Sequence, residues 1–472
     1  MLTALLVTSA LSKPTAYGQS SALGTKSAFG IESNLPILPE SPLYARVASL
    51  GAGWVRLNGR ISWRKLQPLP DSPIAWASLS EFERELKALR ALGAKPIVVV
   101  DDHPLWATLG RAGADGKPSH CDALKDEAFE AFGRFLAQLA ARYAAPEFNV
   151  HDWELGNEPD VDPRLVPSTS AFGCWGDVSD PFYGGERYGR MLKVVAPLVR
   201  AANSKARIWI GGLLLNSPGI DEGEGKGSPG RFFEGILRAG AADAFDVVPF
   251  HAYLGYAEDA QGNPITLDYD YAFGSSPQIA WSQMQAQSFV AAKAASLKRV
   301  MQQYRVNKPL FLNEGGFHCR LPSCESPNSP FYEVQANAVV HTSVRTLSAG
   351  ISGYIWYTLE GPGWRNGGLL DRNQRPRPAF NAYRFLSSQL GNARFLSKSQ
   401  ESNIARYRFR SRSRLFEVVW SIDGVPRTLR VPSSQYTSVV DREGRSLSPR
   451  REGNDLVIEV SARPVYLIGA LR

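Results

Sequence analysis

The sequence predicts an α/β protein: a closed (β/α)8 barrel followed by a small antiparallel β-sandwich. Three observations carry this. From about Phe29 to Asn392, short apolar runs alternate eight times with longer amphipathic stretches, the pattern of a parallel sheet wound with helices. Links from helix to strand are short, whereas many links from strand to helix are long. After Asn392 the helical period disappears and only short β-rich runs remain, separated by Gly, Pro and charged turns. The expected division is 1–27 for a leader and linker, 28–392 for the barrel and 393–472 for the sandwich.

Strands of the barrel are expected at 29–32, 54–58, 96–103, 150–157, 207–214, 246–253, 309–314 and 353–358. Helices are expected over 79–92, 125–143, 186–202, 283–304 and 333–348, where apolar residues recur at three and four spacing. The long loops follow the third, fourth, sixth, seventh and eighth strands and carry Trp106, Trp175, Tyr256, Tyr269, Tyr271, Phe273 and Trp364. In a barrel these loops share the face at the strands' C-terminal ends, where active sites are assembled. The sandwich strands are expected at 405–409, 415–422, 428–431, 438–440, 456–460 and 465–468.

Apolar residues at 44% and charged residues at 21% exclude a disordered, collagen-like or coiled-coil chain. No apolar stretch is long enough to span a bilayer. Net charge is 53 − 45 = +8, and the stretch from Asn392 onward, with 15 Lys/Arg against 8 Asp/Glu, supplies +7 of it. The basicity therefore belongs to the C-terminal domain. Residues 1–11 are apolar and are followed by the small residues Ala16 and Gly18, which fits an export leader, although no basic residue precedes the apolar run. Four cysteines suit an oxidising compartment, with disulfides expected at Cys121–Cys174 and Cys319–Cys324; no Cys-x2-Cys knuckle favours zinc.

Two stretches carry the chemistry. Residues 153–159 read Trp-Glu-Leu-Gly-Asn-Glu-Pro and residues 310–316 read Leu-Phe-Leu-Asn-Glu-Gly-Gly, so Glu158 and Glu314 close the fourth and seventh strands. One glutamate at a strand end is usually a solvated or ion-paired group. Two on opposite sides of a barrel mouth can flank a glycosidic bond, one protonating the leaving oxygen while the other attacks carbon. Asn157 offers an amide to a sugar 2-hydroxyl. Arg56 supplies the charge opposite to a nucleophilic Glu314, and Tyr253 supplies a hydrogen bond. Glu154 lies one layer deeper by alternation and reads as structural.

Asn157-Glu158-Pro159 with a second glutamate ending the seventh strand resembles the large clan of retaining (β/α)8 glycoside hydrolases. The motif is most similar to those of families 39 and 79, with families 5 and 30 as neighbours, and the resemblance spans the whole barrel. It implies Glu158 as acid/base and Glu314 as nucleophile, with no metal or organic cofactor. It also places Arg56, His103, Asn157, His251, Tyr253 and Trp356 among the site residues. Trp356 is expected to floor a sugar ring, and Trp106, Trp175 and Trp364 to stack on sugars at the rim. His103 and Trp356 are equally at home in a barrel core, and the loop tryptophans in plain loop packing. Gly156, Gly315 and Gly316 stand where the clan commonly has bulkier residues; they remove side-chain volume beside the catalytic pair and leave the subsite preference open, though not the chemistry. The implied activity is hydrolysis of β-linked O-glycosidic bonds in an oligo- or polysaccharide. A non-catalytic carbohydrate-binding protein and a transglycosylase are the alternatives. A metal-dependent hydrolase built on Asp101-Asp102-His103 lacks a His-x-His partner.

In the basic domain Arg406, Arg408, Arg410, Arg412 and Arg414 alternate with other residues. If one strand runs as far as Arg414, its geometry puts all five on one face, with Tyr407 and Phe409 in the core. Such a row needs carboxylates from neighbouring strands, Glu417 or Glu459, or an anionic polysaccharide or cell surface as partner. Nucleic acid is not expected, because no nucleic-acid-binding fold is recognisable.

Overall fold

The computed structural model describes residues 23–170, 172–215, 229–269 and 289–470. The expected leader with Ala16 and Gly18, the loop residues Tyr271 and Phe273, and positions 283–288 of one expected helix lie outside the described residues.

The barrel runs β1 (Phe29–Glu32), α1 (Pro42–Leu50), β2 (Trp54–Ser62), α2 (Trp63–Leu66), α3 (Ser80–Leu92), β3 (Lys95–Asp101), α4 (Phe129–Tyr143), β4 (Asp152–Asn157), α5 (Gly185–Ala202), β5 (Arg207–Gly212), α6 (Phe232–Arg238), β6 (Val248–Gly255), α7 (Phe289–Gln303), β7 (Leu310–His318), α8 (Phe331–Ser348), β8 (Tyr354–Tyr357) and α9 (Pro378–Leu390). The eight strands are parallel in the order β5-β4-β3-β2-β1-β8-β7-β6. Parallel bridges Trp209↔Val247 and Leu213↔Phe250 join β5 to β6 and close the ring. Bulges interrupt β2 after Leu57, β6 between Phe250 and His251, and β7 after Leu312. They lengthen β2 and β7 beyond the apolar runs that announce them, and a bulge re-aims the side chains that follow it.

Side chains fill the barrel in layers. Trp54, Ile97, Trp209, Val247, Phe311 and Ile355 form a separate apolar plug at the lower end. Arg56 and Asn313, two residues beyond Trp54 and Phe311, lie above it with Glu154, each fully buried. The strands thus rise from an apolar floor through a charged middle layer to the mouth.

The C-terminal domain comprises β9 (Arg394–Glu401), β10 (Ile404–Ser411), β11 (Arg414–Ser421), β12 (Arg427–Pro432), β13 (Ser438–Asp441), β14 (Arg450–Glu452), β15 (Asp455–Val460) and β16 (Val465–Ala470). A five-stranded sheet, β13-β16-β11-β10-β9, faces a three-stranded one, β12-β15-β14. Val419, Leu467, Leu429, Ile458 and Val460 pack between them. β9 and β14 escape the sequence pattern because they are mostly exposed and polar, which leaves no apolar alternation to read. The other face of the larger sheet joins the barrel core through Tyr407, Phe409, Phe416 and Trp420. Buried Asp268 accepts from the Trp420 indole at 2.6 Å and from both terminal nitrogens of Arg345 on α8, tying the two domains together.

The expected row of five arginines is broken. Arg406 and Arg408 bond buried Glu417 at 2.5 and 3.2 Å, whereas Glu459 is exposed. Arg412 sits in the two-residue turn between β10 and β11 with φ 52°. Because the chain reverses there, Arg414 falls opposite Ser411, on the barrel-facing side of the sheet. The period-2 count ends where the hairpin turns.

Both expected disulfides form, Cys121–Cys174 and Cys319–Cys324. No helix among the described residues is long and apolar enough to cross a membrane.

Candidate active site

The site is organised around Arg56, a fully buried guanidinium on the inner face of β2. Its Nε and Nη2 bond the two oxygens of Glu154, each at 2.9 Å. Nη2 also bonds the Asn157 amide oxygen at 2.7 Å, and Nη1 bonds Glu32 at 2.7 Å and Glu314 Oε2 at 2.5 Å. One cation therefore serves three carboxyl groups. Burial and the neighbouring carboxylates push Glu32 upward against the pull of Arg56. Glu154 further accepts from the Gly212 amide and from Asn313 Nδ2, each at 2.9 Å, so it acts as a scaffold inside the barrel.

Glu158 and Glu314 sit at the mouth, 8% and 7% exposed. A carboxylate oxygen of each, together with a ring nitrogen of His251, lies within 4.8 Å of the others. Glu314 Oε1 accepts from the Tyr253 hydroxyl and Oε2 from Arg56. Glu158 Oε1 lies 2.8 Å from His251 Nδ1. Burial raises Glu158 to about 7 and lowers His251 to about 4, so the imidazole is neutral. The two glutamates thus occupy different surroundings: Glu314 is ion-paired with Arg56, whereas Glu158 is withdrawn from water against a neutral imidazole. Glu158 also has φ 49°, a strained conformation of the kind that gathers at functional sites.

The trio of Glu158, His251 and Glu314 has the donor types of a metal centre. A cation there would lie against the Arg56 guanidinium, and the bonds of Glu314 are already taken by Arg56 and Tyr253. The residues fit a hydrogen-bonded pair better than a metal centre. Asp101-Asp102-His103 does not converge either. Asp102 turns to Ser62 and Arg64, at 2.5 and 3.0 Å, and His103 Nδ1 lies 3.0 Å from the Asp122 carbonyl.

Several expected sugar contacts are placed elsewhere. Trp356 is fully buried, with its indole nitrogen on the Gly367 carbonyl at 3.0 Å. Ile355 belongs to the inner plug, so alternation puts Tyr357 at the mouth and turns Trp356 outward to the helices. Tyr357 packs edge-on to Tyr253 at 6.3 Å, taking the place expected for Trp356. Trp175, only 2% exposed, packs on His103 and Tyr188 and is a core residue. His103, 3% exposed, lies among Trp63, Phe132 and Trp175. Trp106 bonds the Pro68 carbonyl at 2.9 Å and packs edge-on to Trp63. Trp364 is the rim aromatic: 41% exposed, with its ring 5.3 Å from Tyr253.

Of the three glycines expected to leave space beside the catalytic pair, Gly315 and Gly316 do not. A Cβ on Gly315 would meet the Ala252 carbonyl at 2.6 Å, and one on Gly316 the Tyr357 carbonyl at 2.8 Å, so both serve close strand packing. Gly156 has open space beside it and is required by its φ of 92°.

One residue escaped sequence reasoning. Lys293 on α7 is buried, is lowered to about 7 by burial, and bonds the carbonyls of Leu214 and His251 at 2.7 and 2.8 Å. It fixes the strand end that carries His251, and a lysine within the apolar run 289–297 was the available signal. Asp101, read from the sequence only as part of a metal cluster, lies on the inner face of β3 with Ile97, half-buried, and its neighbours at the mouth include Arg56.

No family model matches the chain, and no curated protein does. Solved structures do. A family 39 glycoside hydrolase from Bacteroides cellulosilyticus superposes with a TM-score of 0.67 at 18% identity, covering 94% of this chain and 81% of that one. A family 30 subfamily 8 xylanase from Clostridium acetobutylicum gives 0.61 at 12% identity over 95% and 97% of the two chains. A monomeric β-xylosidase from Caulobacter crescentus gives 0.59 at 17% identity over 97% and 98%. The structural neighbours of this chain are thus glycoside hydrolases of families 39 and 30, two of the families its catalytic motif resembles, and what it shares with them at these identities is the fold: a (β/α)8 barrel with an antiparallel β-domain.

Proposed function

We propose that the chain is an exported retaining glycoside hydrolase that cleaves β-linked O-glycosidic bonds of an oligo- or polysaccharide by double displacement. The observation that carries this reading is the approach of Glu158 and Glu314 to within 4.8 Å across the barrel mouth. Retaining enzymes hold their two carboxyl groups about 5 Å apart, whereas inverting ones leave about 6.5–9.5 Å for a water. Glu314, oriented by Arg56 and Tyr253, attacks the anomeric carbon as the glycosidic bond breaks, and Glu158 gives its proton to the leaving oxygen. Glu158, now a carboxylate, takes a proton from water. That water attacks the anomeric carbon and frees Glu314. Asn157, whose amide is oriented by Arg56, lies beside Glu158 to meet the 2-hydroxyl.

Export rests on the two disulfides and on the leader-like N-terminus. The basic domain suits attachment to an anionic polysaccharide or cell surface. Because two neighbours are named as a xylanase and a β-xylosidase, β-xylosides join aryl β-glycosides and neutral and anionic polysaccharides as first substrates to screen.

The test uses Glu314→Ala. The enzyme reading expects nearly all turnover to vanish and azide to restore it on an activated substrate, giving a glycosyl azide of inverted configuration. Proton NMR of the wild-type reaction should show retention in the first-formed product. Turnover that survives in Glu314→Ala, or inversion in the wild type, overturns the mechanism. A chain that binds sugar without hydrolysing any substrate of the screen is the non-catalytic alternative, and product analysis at high acceptor concentration identifies a transglycosylase.

A further inference from the structure

The foot of the barrel carries a second concave surface that the reaction does not use. The C-terminal ends of α1 and α9 and the residues leading into β1 meet the β10–β11 turn of the sandwich around a groove of about 630 Å³. This lies within the size range of small-ligand sites. Four of its lining residues are cations, Lys26, Arg384, Arg412 and Arg414, and none is acidic. Lys26 is committed to the Leu92 carbonyl at 2.5 Å. Arg384, Arg412 and Arg414 form no ion pair among the described residues, unlike Arg406 and Arg408, which Glu417 neutralises. The hairpin is what brings them here, by turning Arg414 back toward the barrel and lifting Arg412 to the tip. Between the cations the wall is hydroxyl- and amide-rich, with Ser388, Ser413 and Gln389, and Phe416 is its one aromatic residue.

We propose that this groove binds an anionic oligosaccharide segment, a chain bearing carboxylate or sulfate groups, as a holding site on the face opposite the catalytic mouth. Guanidinium groups match carboxylates and sulfates in planar, paired hydrogen bonds, and the serines and amides match the intervening hydroxyls. A single aromatic side chain does not provide the stacked platforms that single-stranded nucleic acid requires. The choice of a saccharide rests on the reading of the site above as a glycosidase. The groove's preference for anions rests only on its own residues. It also narrows the attachment surface from the whole basic domain to one hairpin and the barrel's foot.

The experiment measures binding of an oligogalacturonate by calorimetry to the full chain carrying Glu314→Gln, which keeps the mouth intact and prevents turnover. The comparison ligands are a neutral cello-oligosaccharide of the same length and inorganic sulfate. The expected result is oligogalacturonate binding that weakens with salt, falls at least about tenfold in Arg412→Ala/Arg414→Ala, and exceeds both the neutral oligomer and sulfate. The same double variant with Glu314 restored should hydrolyse a small aryl glycoside at the wild-type rate. Arg384→Gln provides a second reading should the double variant fold poorly. Equal binding of the neutral oligomer, sulfate binding as tight as the oligomer's, or unchanged affinity in the arginine variants overturns the proposal. Failure of hydrolysis with intact oligogalacturonate binding instead counts against the glycosidase reading alone.

Discussion

Replacing Glu158 by Gln should make the protein more stable and far less active, with both effects set by the same burial. In the folded chain Glu158 is raised from 4.5 to about 7, chiefly because it is withdrawn from water. The folded state therefore holds this proton more tightly than the unfolded state. Between those two values the unfolded chain ionises first, so the carboxyl costs stability as pH rises, and the full cost is present above about 7. Two and a half units correspond to about 3 kcal/mol. Gln keeps the shape and cannot ionise, so Glu158→Gln should gain up to about 3 kcal/mol at about pH 8 and nothing at about pH 4. Denaturant unfolding at the two pH values measures this. In the same variant kcat/KM on an unactivated glycoside should fall about 10²–10⁴-fold, the worth of a positioned general acid. The alkaline limb of the wild-type profile, centred near 7, should vanish with it. A variant that is no more stable at the higher pH, or that keeps the alkaline limb, would refute the assignment of the proton to Glu158.

Tyr253→Phe removes one of the two donors to Glu314 and should lower kcat/KM about 10- to 100-fold, as expected for a hydrogen bond to a charged group, with little change in thermal midpoint. The disulfides should differ in worth. Cys121 and Cys174 are 53 residues apart and Cys319 and Cys324 only 5, so chain entropy assigns about 4 and about 2 kcal/mol respectively, measurable by unfolding each Cys→Ser pair. Asp268→Asn withdraws the charge opposite buried Arg345 and should cost about 3–5 kcal/mol. Limited proteolysis should then cut first near the barrel–sandwich junction.

The sequence by itself determined the periodic parts of this protein. The alternation of apolar runs and amphipathic stretches announced eight strands and their helices, because burying one face of each element leaves a period that survives in one dimension. Glu158, Asn157 and Glu314 were legible for a related reason, since a strand end has a fixed place at a barrel mouth. β9 and β14 were not legible, being exposed on most positions. What only the tertiary structure decided was parity and company. Whether Trp356 or Tyr357 enters the mouth depends on which neighbour joins the inner plug, a one-residue question that two adjacent aromatic residues cannot answer. Likewise, the bulges in β6 and β7 re-aim His251 and Glu314 without any mark in composition. The pKa of Glu158 and the sharing of Arg56 among three carboxyl groups follow from burial contributed by distant strands, and such sums exist only once the chain has closed on itself.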